Sequence, residues 1–86
     1  MAKPQAAVVL RRKGRYVDED EVLVQAEQGA PYAAALAALR KAKIEPFLHG
    51  LGALRMTFDP EEIEAEVAVD VVKSALRSAG IRVLRL

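Results

Sequence analysis

Few side chains in this chain could do chemistry. His49 is the one histidine, set in the run Phe47-Leu48-His49-Gly50-Leu51-Gly52. An imidazole exchanges protons near neutral pH, so His49 with Arg55 could act on a small anion. The bland alternative is a structural or solvent-facing histidine beside a glycine turn, and it is the commoner case. No second histidine stands in ligand register, so a metal site would need Asp and Glu alone. Asp18–Glu21 and Asp59–Glu62 supply carboxylates, but both runs suit helix starts or solvated turns, and EF-hand spacing is absent. Ser74 and Ser78 sit in a helical pattern near Lys73 and Arg77, without a G-x-S-x-G elbow. There is no Walker A signature and no G-x-G-x-x-G. The expectation is no catalytic residue, no metal and no cofactor, and a chain that leans away from being an enzyme.

The strongest binding signal is basic. Arg11, Arg12, Lys13 and Arg15 put four cations within five positions, enough to grip phosphates with an affinity that falls as salt rises. Against this, a charged hairpin turn is ordinarily just solvated, and Asp18–Glu21 follows closely. The formal net charge of +1 leaves no global field to recruit nucleic acid or an acidic membrane.

Composition describes an ordinary globular chain: 86 residues, 52% hydrophobic and 29% charged, enough for one domain and one core. Having no cysteine, it makes no disulfide and does no thiol chemistry. No apolar run nears the ~20 residues of a membrane span, and MAKPQAAVVL lacks a signal peptide's core, so a cytoplasmic protein is expected. The missing Asn and the many charges suggest a thermophilic or GC-rich source.

The elements that must position these groups follow from pattern. Residues 6–12 read as a strand ending at the Lys13-Gly14 turn, with residues 1–20 an extension able to join the sheet or exchange with a partner. Residues 18–29 leave two readings: a helix capped at Asp18 and stopped at Gly29, or a strand over 22–26. The β-branched run Val22-Leu23-Val24 favours the strand. A helix over 31–43 carries Tyr32, Leu36, Leu39 and Lys43 on one stripe. Residues 44–49 form a strand placed at an edge because Pro46 cannot donate to a ladder. Residues 53–58 alternate, with Leu54, Met56 and Phe58 on one face. Residues 60–79 make a long helix, with Asp59, Pro60 and Glu62 at its start and Gly80 at its stop. Alternation over 63–71 also permits a strand there, but Glu62, Glu66, Asp70, Lys73 and Arg77 segregate as a helical charged stripe. Ile63, Val67 and Val71 widen the apolar face beyond what one core needs; they could meet a second chain or pack beneath the N-terminal segment. Residues 81–86 form the last strand.

The last six elements spell βαββαβ, the order of a ferredoxin-like split βαβ sandwich. The expected architecture is α+β: two helices on one face of an antiparallel sheet, plus an extra N-terminal strand. Its central strands would be 22–26 and 53–58. The other face would carry Leu23, Gln25, Phe47, His49, Arg55 and Thr57, with Gln25, Phe47, His49 and Arg55 the candidate contacts for a ligand. The open face lacks the base-stacking positions of RNA-recognition motifs, since Ala53 and Arg55 stand where aromatics are needed. It also lacks the Cys-x-x-Cys of the copper-carrying domains built on that fold. Three functions follow: a small self-associating binding or assembly module, such as a homodimer, which is preferred; a nucleic-acid accessory protein using Arg11, Arg12, Lys13 and Arg15; and a small-anion enzyme using His49 and Arg55.

Overall fold

A computed structural model describes residues 4–15, 20–49, 53–57 and 63–84, with the side chains of 47–49 and 55–57 excepted. Within them the chain is α+β. The elements are β1 (Gln5–Arg11), β2 (Glu21–Gln25), α1 (Ala30–Lys41), β3 (Phe47–His49), β4 (Ala53–Thr57), α2 (Ala65–Ser78) and β5 (Arg82–Leu84). The fork at residues 18–29 resolves as strand: Val22 and Val24 are fully buried and β-branched side chains pack well on a pleated surface.

One mixed sheet has the order β3-β4-β2-β1-β5. Its β1–β2, β2–β4 and β3–β4 pairs are antiparallel, and β1–β5 is parallel. The expected all-antiparallel sheet is therefore corrected. A ferredoxin-like order would seat the last strand beside β2; here β1 occupies that place and β5 pairs with β1. The cause lies in composition. Ala6, Val8 and Leu10 give β1 an apolar face that reaches the core, with Ala6 only 1% exposed, whereas β5 carries exposed Arg82. An apolar strand gains most where both neighbours shield it, and a charged one suits an edge.

Both helices pack on the same sheet face. Val22, Val24, Leu54 and Ile81 meet Ala35, Ala38 and Leu39 of α1 and Ala68, Val72 and Leu76 of α2. On α1 the buried stripe is thus centred on Ala35, Ala38 and Leu39, with Tyr32 and Leu36 half-buried at its side. Lys43, expected on that stripe, lies beyond the helix.

The two helices end in the same way. At α2, Gly80 takes φ 78°. The Ile81 N–H donates to Leu76 O at 3.0 Å, and the Gly80 N–H to Arg77 O at 3.0 Å. At α1 the pattern repeats, with the Ile44 N–H to Leu39 O at 2.9 Å and the Lys43 N–H to Arg40 O at 2.9 Å. Both are Schellman turns, in which the residue after the left-handed position packs back on the helix. Ile81 is buried, and Ile44 packs against the core. The left-handed residue of the first turn is Lys43, φ 63°, where a Cβ is unfavourable.

That turn also corrects the third strand. Ile44 is spent on closing the helix, Glu45 and a buried Pro46 follow, and β3 starts only at Phe47, so the proline precedes the ladder rather than interrupting it.

The second helix starts at Ala65, later than residue 60, on an extended Glu64 with no side-chain cap. Asp59, Pro60 and Glu62 lie outside the described residues, as does Phe58. Ile63 explains the late start. Nine residues before Val72 at ~100° each, it would point away from the core if the helix continued back to it; off the helix, it packs against the core. From Ala65 onward the strand alternative is excluded.

Two stability outcomes follow. Lys43→Gly relieves the left-handed Cβ and should raise stability by about 0.5–1 kcal/mol, or several degrees in Tm for a domain of this size. Leu76→Ala, at a side chain with 0% exposure, should cost about 2–5 kcal/mol. Chemical denaturation with both variants measures each directly.

Candidate functional site

The first candidate surface is the sheet face away from the helices. Register aligns its residues in rows. Leu84, Ala7, Gln25, Ala53 and His49 succeed one another across the sheet, and the next row is Val9, Leu23, Arg55 and Phe47. The four expected contacts therefore occupy two adjacent rows at the β2–β4–β3 side. Gln25 is exposed; the side chains of Phe47, His49, Arg55 and Thr57 lie outside what the structure describes. Leu23, expected to be open to solvent, is 4% exposed, and Ala7 beside it is 6% exposed. Neither belongs to the core between sheet and helices. Glu21, one row further on and facing Arg11 in register, is also buried, and it has a partner.

The second candidate surface is the basic segment. Arg11, Arg12, Lys13 and Arg15 are all exposed at the end of the β1–β2 pair. Arg12 is already paired within the chain. The Arg12 guanidinium donates to the Glu66 carboxylate in the first turn of α2, and its other nitrogen stands 3.6 Å from Asp20 Oδ2. The Lys13 backbone N–H donates to Asp20 Oδ1 at 2.7 Å. Arg15 is likewise engaged. This segment therefore ties the strand pair to the start of α2. Residues 12 and 66 are too far apart for local pattern to link them; the only sequence signal was that each lies in a charged run.

The Glu66 carboxyl is held below its ordinary value. The main cause is a backbone N–H at the helix start, then the hydrogen bond and charge of Arg12; slight desolvation and Asp20 oppose them. Negative charge is favoured there because first-turn amides have no helical partner.

The third surface, the outer flank of α2, holds the exposed valines. Val67 is 47% exposed and Val71 is 41% exposed, with Ser74 and Ser78 continuing the same side of the helix. Beside them a groove of about 240 Å³ runs between the helices, lined by Ala38, Lys41, Ala42, Ala75, Ser78 and Ala79. The expected flank of Ile63, Val67 and Val71 thus divides. Ile63 turns inward and the two valines face water.

Among the described residues no three His, Cys, Asp or Glu side chains gather where they could hold a metal ion, and no helix is long and apolar enough to cross a membrane. No family model, no curated protein and no solved structure matches this chain.

The Glu66 contact predicts a pH dependence. A carboxyl with a depressed folded pKa stabilises fully above its unfolded value, near 4.5, and loses that contribution as pH falls through the lower folded value. Glu66→Gln should flatten the stability–pH curve below 4.5 while leaving its shape near neutrality unchanged. Urea denaturation from pH 2 to 7 tests this, and an unaltered acid limb would contradict it.

Proposed function

We propose that this chain is a small non-enzymatic assembly module that associates with copies of itself through the outer flank of α2. The observation that carries the reading is the exposure of Val67 and Val71 one turn apart. A lone surface valine is ordinary. Two on one helical side, backed by small serines and a groove, form an apolar strip that water covers at a cost of ~25 cal/mol per Å². Arg12, the central cation of the basic segment, is engaged within the chain, which weakens the competing phosphate-binding surface. The fold reading that accompanies this proposal is a ferredoxin-like variant. Its support is the β3-β4-β2 order joined through α1, a split βαβ unit, with β1 then inserted ahead of β5.

Sedimentation velocity from micromolar to millimolar chain concentration tests the reading. A concentration-dependent dimer is expected, and Val71→Glu should abolish it without unfolding the chain, because Val71 is outside the core. A wild-type monomer throughout that range would defeat the proposal.

A further inference from the structure

The exposed side of α2 carries a pattern that specifies its own partner. Val67, Val71, Ser74 and Ser78 are spaced by four, three and four residues, the d-a-d-a seam of a heptad. The residue just before each a position is charged: Asp70 before Val71, and Arg77 before Ser78. Both are exposed, and among the described residues neither forms an ion pair. The helix thus presents valine and acid in its first half, serine and base in its second.

We infer that two copies of this chain pair by laying α2 antiparallel against α2 about a two-fold axis near residues 72–73. This rests on the self-association reading above and specifies its geometry. In that arrangement Val71 sits in a layer with Ser74 of the second copy, and Val67 with Ser78 of the second copy. Each valine knob meets a small side chain, which lets the helices approach closely. Val67 of the second copy also arrives beside the groove between α1 and α2, since Ser78 belongs to both. The flanking charges then complement one another. Asp70 faces Arg77 of the second copy, and symmetry makes the contact twice. A parallel pairing loses this. It sets each flanking charge against the position five residues on, which for Asp70 is the half-buried Ala75, and stacks serine on serine.

Complementarity favours a second copy over an unrelated partner, because the halves of one helix supply both members of every contact. Glu66 stays with Arg12 and is not needed. A four-residue seam lies below the size of a standard stable interface, so the dimer is weak and exchanging.

A charge-reversal cycle with the full chain tests the geometry. Asp70→Arg and Arg77→Asp each turn two attractive contacts into repulsive ones and should weaken dimerisation about tenfold. The double variant D70R/R77D restores opposite charges and should return to within about threefold of wild type. Circular dichroism on each variant confirms folding. If wild type dimerises but the single reversals do not weaken it, or the double does not recover, this pairing is overturned while self-association stands. A monomeric wild type removes the reading beneath it. A second readout uses the absence of native cysteine. A nitroxide on Lys73→Cys, close to the axis, should lie within about two helix diameters (~20 Å) of its mate. A much longer distance overturns the pairing whatever the reversals do.

Discussion

The structure depends on one strand being held from both sides. β1 takes antiparallel hydrogen bonds from β2 along Ala7 to Arg11 and parallel ones from β5 along Gln5 to Ala7. Without it β5 would have no ladder, because among the described residues it pairs with β1 alone. The junction is fastened where the Arg82 N–H donates to Pro4 O at 2.8 Å. Small side chains suit β1 to this place. Ala6 and Ala7 point to opposite faces, and both are buried. Once β1 is interior, the remaining choices narrow: the Arg-bearing β5 becomes one edge and β3 the other.

How much of this the amino-acid order disclosed depended on whether the signal was local. Gly80 announced its helix end, since a glycine after a periodic run has a direct steric meaning. The matching end at Lys43 was hidden, because lysine is an unexpected occupant of a left-handed position and no rule of composition selects it. Val22, Val24 and Leu54 were legible as core strands from branching and alternation. The position of β1 was not, because a short apolar run looks the same in the middle of a sheet as at its margin. Only competition among five strands for three interior places decides it. The start of α2 shows the same limit. Asp59 and Glu62 have capping spacing, yet Ile63 must reach the core, and its burial outweighs the extra helical turn.

The candidate surfaces differ in the same way. Register brought Gln25, Phe47, His49 and Arg55 into neighbouring rows, as strand alternation implied. Charge counting along the basic segment did not show what the fold delivers opposite Arg12. Here that is the first turn of α2, where Glu66 pairs with the exposed Arg12 across the sheet–helix boundary. The α2 flank was visible as an apolar excess; the structure was needed to separate the residue that turns inward from the two that remain wet.

Joining residue 5 to residue 82 has a consequence for how the molecule comes into being. On a ribosome the first strand emerges early, can zip with the second, and then presents an unsatisfied flank until the end of α2 has been made. Closing so long a loop is entropically slow compared with forming either helix. During that interval the growing polypeptide shows neighbours a bare ladder of amides and carbonyls, a template for mispairing with other nascent copies. Crowded polysomes are therefore where this architecture is most vulnerable.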